Sequence, residues 1–212
     1  MTTRQTTDDL IRDLAARPIP APFHPVAAAA GMAALATLVL GLYFAGLGLR
    51  ADIVGAWQHL PVQAKTVLPA LLSLIAIWLA LRSARPEGRI KTWPLAVPVA
   101  LALALALQRL VMADGPRLVE LMGNTAMACL ASITLLTALP LAAGIVILRR
   151  AAPTRPVQTG ALLGIAVGAF VAAGYALHCT EDSPLFFVSW YGIAIGLAGA
   201  SGAYLGHRFL RW

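Results

Sequence analysis

Charge is what this sequence has least of: only 12% of its 212 residues are Asp, Glu, Lys or Arg, about half the share of a soluble globular domain. Carboxylates are the scarcer sign, nine against 16 Lys and Arg. Few of them fall inside the apolar stretches, which excludes a chain of membrane-buried acids of the kind that couples proton movement. Aromatic residues make up 7% and do not interleave with a basic patch, so the net charge of +7 implies no direct nucleic-acid contact. No phosphate loop, dinucleotide fingerprint, HExxH or nucleophile elbow is present, and no enzymatic activity is expected. Cysteine occurs twice, too few for a paired CxxC zinc signature.

Apolar sequence is abundant. Hydrophobic residues reach 59% and mean hydropathy is +0.79. They gather in six runs, 26–49, 65–82, 94–112, 121–148, 158–177 and 185–206, near the length that crosses the hydrocarbon core of a bilayer. A soluble helical core would need polar outer faces, which these runs lack. The fold class expected is all-α, a polytopic membrane protein with a six-transmembrane-helix bundle. The first run is too long for a signal-peptide core and has no charged region directly before it, so it reads as an uncleaved helix. Pro69, Pro98 and Pro140 are candidate kinks within spans, tolerated where neighbouring helices satisfy the freed backbone groups.

Twelve of the 16 cations fall on one side of such a bundle: Arg4, Arg12, Arg17, Arg82, Arg85, Arg89, Lys91, Arg149, Arg150, Arg155, Arg208 and Arg211. Arg50, Lys65, Arg109 and Arg117 fall on the other. The positive-inside rule then places both termini in the cytoplasm. Arg109 lies near the outer end of its helix, where it can snorkel to the headgroups or join an outer polar cluster. Two units follow: residues 1–25, a cytoplasmic amphipathic segment with a Pro-rich spacer, and residues 26–212, the transmembrane domain. The spacings Gly160/Gly164, Gly192/Gly196 and Gly202/Gly206 suit close helix contacts, within the chain or with a second copy in a homo-oligomer.

Two stretches carry chemistry. Near the start, Thr6-Thr7-Asp8-Asp9 precedes Leu10, Ile11 and Leu14, which share one helical face. Thr6 with Asp9 is a capping pattern, and acids in the first turn complement the helix dipole. A helix this short is marginal alone and gains by docking its apolar stripe on a partner or the bilayer surface. Between the fifth and sixth runs stands His178-Cys179-Thr180-Glu181-Asp182-Ser183-Pro184, an outer turn with a thiol, an imidazole and two carboxylates, where Pro184 opens the next helix. Phe186, Phe187, Trp190 and Tyr191 then suit an interfacial aromatic belt. Cys129 falls near the outer end of the fourth helix, so both thiols face the oxidising side. Three readings stay open. They are a redox- or metal-responsive pair, with His178 or Glu181 completing a soft-metal shell around Cys129 and Cys179, a static disulfide, and two small residues used in packing.

The segment from Thr7 to Ala15, the turn from His178 to Pro184 with Phe186-Phe187-Val188-Ser189-Trp190-Tyr191, and the closing Leu210-Arg211-Trp212 resemble the NrsF family, bacterial six-helix membrane proteins that act as negative regulators of a sigma factor. The likeness spans the chain and includes the second cysteine at Cys129. It implies an anti-sigma factor in the bacterial inner membrane that holds an extracytoplasmic-function sigma factor and releases it under stress. The resemblance implicates a cysteine pair in that response, here Cys129 and Cys179, and it makes the amphipathic segment with Asp8, Asp9, Leu10, Ile11 and Leu14 the natural sigma-docking element. No cofactor is required, a soft metal at the cysteine pair aside. A transporter or channel is the alternative, for which Gln108, Arg109, Asn124, Thr125 and Thr134 offer a thin supply of polar lining. A redox enzyme or cofactor carrier built on His178 and Cys179 ranks last, because His24, His59, His178 and His207 are scattered.

Overall fold

A computed structural model describes residues 6–16, 23–85, 90–112, 117–151 and 153–211. The described residues form nine α-helices: α1 (Thr7–Ala16), α2 (Pro25–Leu47), α3 (Ile53–Ala56), α4 (Leu60–Ser83), α5 (Ala96–Met112), α6 (Arg117–Met122), α7 (Ala126–Leu148), α8 (Pro156–Tyr175) and α9 (Pro184–Phe209). Six spans are long and apolar enough to cross a membrane: α2, α4, α5 with its 3-10 turn Trp93–Leu95, α6 with α7, α8, and α9. This is the architecture of a multi-pass membrane protein. The residues of the spacer at 17–22, together with Arg4, Arg89 and Trp212, lie outside the described residues, as does the side chain of Leu14.

Prolines start these helices. Pro25, Pro61, Pro156 and Pro184 each stand at the first or second helical position, where a missing N–H costs nothing and the fixed φ suits the helix. Of the three kink candidates, Pro69 and Pro140 are inside helices. Pro98 is the third residue of α5, a first-turn position whose N–H has no intrahelical partner in any case.

The centre of the bundle is α8 against α9. A side chain on Gly160 would strike the backbone carbonyl of Gly202, and one on Gly164 the carbonyl of Ala198. The two backbones therefore run almost in contact, as small residues permit where lipid offers no competing hydrophobic drive. Gly202 and Gly206 complete the seam, whereas Gly192 and Gly196 meet nothing within 4 Å. Hydroxyls fasten α4 to α8 at two levels: Ser73 donates to the Ala166 carbonyl at 2.7 Å, and Ser83 pairs with Thr159 at 2.9 Å. By contrast α5 is largely exposed, with Pro98 its one buried residue.

Phe186, Phe187 and Tyr191 do not form the expected interfacial belt. They are 0%, 3% and 2% exposed, because α9 is covered by α8, α7 and α5 and its first turns point into the bundle. Trp190, half-buried, donates from Nε1 to the Leu121 carbonyl at 2.8 Å and ties α9 to α6.

Candidate functional site

The two thiols come together at the end of the bundle where α7 and α9 begin and α8 stops. Cys129 is in the first turn of α7, its amide bonded to the Thr125 carbonyl at 2.8 Å. Cys179 follows the last turn of α8, its amide bonded to the Tyr175 carbonyl at 3.1 Å. Both are free thiols and buried, at 0% and 4% exposure. The Cys179 thiol points towards the Glu181 carbonyl at 4.0 Å, and the Cys129 side chain is its neighbour.

Two cations hold the Cys179 turn in place, a role beyond the topological one that hydropathy gives them. The apolar run puts Lys65 at the border of a span beginning at 65. Because α4 starts at Leu60, Lys65 is instead more than a turn inside and fully buried. Its three ammonium protons meet three acceptors: the Cys179 carbonyl at 2.6 Å, Asp182 Oδ1 at 2.6 Å and the Glu181 carbonyl at 3.3 Å. Arg50 is 7% exposed. It grips Asp52 at 2.8 and 2.9 Å and Asp182 at 2.8 and 3.1 Å, and reaches the Cys179 carbonyl at 3.3 Å. Two cations and two carboxylates thus make a neutral cluster, the arrangement in which buried charge is tolerated.

The electrostatics follow from this packing. Arg50 holds the Asp52 carboxyl down to about 2. Burial raises the Asp182 carboxyl, but hydrogen bonds from Arg50 and Lys65 outweigh it and leave the group below the usual carboxylate range. The Cys179 thiol is lowered, first by its hydrogen bond with Cys129 and then, against the effect of burial, by the positive field of Lys65. A lowered thiol is a better nucleophile and a better soft-metal ligand near neutral pH.

The remaining residues close the site. His178 Nδ1 lies 2.8 Å from the Gly48 carbonyl and its ring packs on Tyr43 and Tyr175. Because a carbonyl only accepts, this contact puts the proton on Nδ1. Glu181 accepts the Asn124 amide at 2.8 Å, beside Gly123. Gly123 has φ +52, and a Cβ there would meet the Phe186 ring at 2.7 Å, so the close approach and the left-handed backbone both call for glycine. Arg109 joins a polar cluster, with both its Nε and its terminal nitrogen on Glu120 at 3.0 and 2.5 Å, and Glu120 also accepts from Ser183 at 3.2 Å.

His178 and Glu181 are therefore committed to the Gly48 carbonyl and the Asn124 amide. Among the described residues no group of three or more His, Cys, Asp or Glu side chains is placed to hold a metal ion. Cys129, Cys179, His178 and Glu181 do not fit a four-ligand shell in this arrangement, and two thiols are what the site offers.

The other predicted site stands apart. Thr6 and Asp9 form a reciprocal cap on α1, with the Asp9 amide 3.3 Å from Thr6 Oγ1 and the Thr6 amide 3.2 Å from Asp9 Oδ2. Thr6 holds the Asp9 carboxyl below its ordinary value. Leu10 and Ile11 are 48% and 57% exposed, and Asp8 and Asp9 are exposed beside them.

Comparison with known proteins shows the family. A family model described as NrsF, negative regulator of sigma F, matches residues 13–212. The chain is 33% identical over 214 residues to the anti-sigma-F factor NrsF of Caulobacter vibrioides (strain NA1000 / CB15N), covering 97% of this chain and 99% of that protein. It is 32% identical over 216 residues to the probable anti-sigma-F factor NrsF of Azospira oryzae (strain ATCC BAA-33 / DSM 13638 / PS), with the same coverage. No solved structure matches it.

Proposed function

Because the chain belongs to the NrsF family of negative regulators of sigma F, we propose that this anti-sigma factor works as a membrane tether with a thiol-operated release. It sits in the bacterial inner membrane with both termini in the cytoplasm. The α1 segment holds a sigma factor of the extracytoplasmic-function class, and modification of Cys129 and Cys179 at the outer face lets it go.

The observation that carries the docking half is the capped α1 with Leu10 and Ile11 exposed. The cap preorganises a short helix that would otherwise be marginal, so less ordering entropy is lost when an apolar groove closes over it. Asp8 and Asp9 add a charge pattern that a basic groove rim on the sigma factor can read.

The release half rests on the burial of the two thiols against one another. Two-electron oxidation would join the sulfurs, with two protons lost and the electrons passing to an external oxidant. The Cys179 carbonyl is bound by both Lys65 and Arg50, so any shift of Cys179 towards Cys129 pulls on α4 and on the segment after α2. Coupling of about 1–3 kcal/mol would change sigma affinity roughly 5–150-fold.

Copurification from native membranes tests the proposal. A sigma factor should accompany the intact chain and be lost on deletion of residues 2–17. Its release on oxidant challenge should disappear in Cys129→Ser and Cys179→Ser. Recovery independent of residues 2–17 would remove α1 from the interface, and release unaffected by the serines would remove the thiols from signalling. Transport gains no support from the site: Arg109 is paired with Glu120, and Thr134 donates back to the Leu130 carbonyl at 2.7 Å.

A further inference from the structure

Tyr191 is among the largest fully buried side chains, and its hydroxyl makes no hydrogen bond in this structure. A buried hydroxyl with no partner is unfavourable, and phenylalanine in its place would remove the penalty. Phe186 and Phe187 stand within the same turns of α9, so an apolar ring is well accommodated there. The phenol is set apart by its neighbour. It lies beside the Cys179 thiol in the same buried cluster.

The surroundings of the two sulfurs differ. Cys179 has Tyr191 from α9 beside it and is close enough to Lys65 from α4 to feel its positive charge. Cys129, on α7, is fully buried and has the Tyr175 hydroxyl of α8 as a neighbour. Around Cys179 the other charged or titratable groups are His178, Glu181 and Asp182 of its own turn and Arg50 of the segment after α2. His178 is held on the Gly48 carbonyl, Glu181 on the Asn124 amide, and Asp182 on Lys65 and Arg50. That leaves the Tyr191 hydroxyl as the uncommitted donor at this sulfur.

We propose that Tyr191 is a positioning residue of the thiol site, whose hydroxyl turns to donate to the Cys179 sulfur as it ionises and thereby makes Cys179 the first thiol to react. The inference deepens the thiol reading of the site and rests on it. With hydrogen peroxide as oxidant, the Cys179 thiolate attacks one oxygen, an S–O bond forms as the O–O bond breaks, and the leaving hydroxide departs as water after protonation. The Cys129 sulfur then attacks the Cys179 sulfur, the S–O bond breaks, and a second water leaves as the disulfide forms. The order matters because a fully buried Cys129 is poorly placed to meet an oxidant from outside.

Limited labelling of the full-length protein in nanodiscs with iodoacetamide, followed by peptide mass mapping across pH 5–10, reads the order directly. Cys179 should label several-fold faster than Cys129 at neutral pH, with a midpoint below the ordinary thiol value of about 8.5. Tyr191→Phe should raise that midpoint and shrink the Cys179 preference while thermal stability holds or improves. Tyr175→Phe, which removes the hydroxyl facing the other sulfur, should leave the Cys179 midpoint where it was. Faster labelling of Cys129 in the unmodified protein would overturn the proposal. So would an unmoved Cys179 midpoint in Tyr191→Phe, or an equal shift in both variants, the mark of general loosening. Failure of the serine variants to alter sigma release would instead count against thiol signalling, and the labelling order would stand on its own result.

Discussion

Arg50 and Arg82 lie at opposite ends of the bundle and are used in opposite ways. Arg50 is 7% exposed and bonded to two carboxylates and a carbonyl. Arg82 is exposed, and its guanidinium lies over the Trp78 ring at 5.1 Å. The contrast holds for their neighbours. At the thiol end Lys65, Asp52 and Asp182 complete a neutral cluster that fixes the Cys179 turn. At the other end Arg149, Arg150, Arg155 and Arg208 are exposed cations, suited to the headgroup region rather than to holding helices together. Buried matched charge makes a turn rigid and breakable at one point, whereas exposed charge of one sign orients the chain and tolerates change. A sensor needs the first property, and a surface that meets a partner can use the second.

The α8–α9 seam joins the two ends, and breaking it should have the largest effect. Gly164→Leu drives a side chain into the Ala198 backbone carbonyl, an obstacle that cannot rotate away. The cost should therefore reach or exceed the upper end of overpacking, about 3 kcal/mol. Fluorescence-detected size exclusion after heating should show loss of folded protein. Gly196→Leu on α9, where nothing lies within 4 Å, should melt close to the unmodified chain.

Next comes the cluster itself. Asp182→Asn leaves Lys65 and Arg50 without their shared counter-charge. Breaking a fully buried pair costs about 3–5 kcal/mol, and the Asp182 side chain is 36% exposed, which puts the loss towards the lower figure. Thermal melting in detergent should fall accordingly and Cys179 should alkylate faster. Asp52→Asn should do far less, since Asp52 is exposed and Arg50 keeps Asp182. Equal losses from the two would mean that Asp182 is not the keystone.

Acid should open the same end without a mutation. The folded-state value of Asp182 lies below its unfolded one. Its contribution is therefore complete above the ordinary carboxylate value, about 3.9, and is lost as pH falls through the lower folded value. The melting temperature should stay level from neutrality to about pH 4 as far as this group is concerned, and fall below that. In Asp182→Asn the fall should be smaller. An identical acid limb in the two proteins would assign the loss to other carboxylates.

Much of this arrangement was legible in the sequence, for identifiable reasons. Length and hydropathy mark the six spans, Thr6 with Asp9 marks the cap, and Pro184 marks the start of α9. The glycine pairs mark close contacts but not their partner: Gly160/Gly164 and Gly202/Gly206 build the seam, while Gly192/Gly196 face open space. Lys65 was misjudged because hydropathy cannot separate a cation at a span's edge from one a turn inside. Pro61 held the missing information, since a proline in that setting signals a helix start five residues earlier than the apolar run. The aromatic stretch after Pro184 was misjudged in a related way, because the sequence does not say which helix is central. That Arg50, Lys65 and Asp182 converge on Cys179 is tertiary information, carried by three separate segments.

The smallest effect on the bundle should come from the far side of the comparison. Leu10→Asp with Ile11→Asp changes two exposed positions of α1 and leaves the Thr6–Asp9 cap in place. Substitutions at such surface sites usually move stability by less than about 0.5 kcal/mol each, so the melting curve and the labelling of Cys179 should both be unaltered. Sigma retention should nevertheless be lost, because two carboxylates now occupy the stripe that a groove would have to desolvate. A variant that retains the sigma factor would move the docking surface to the exposed cations of the bundle. One that loses both retention and thermal stability would show that α1 braces the helices as well as binding its partner, and the division of labour between the two ends would then have to be drawn elsewhere in the chain.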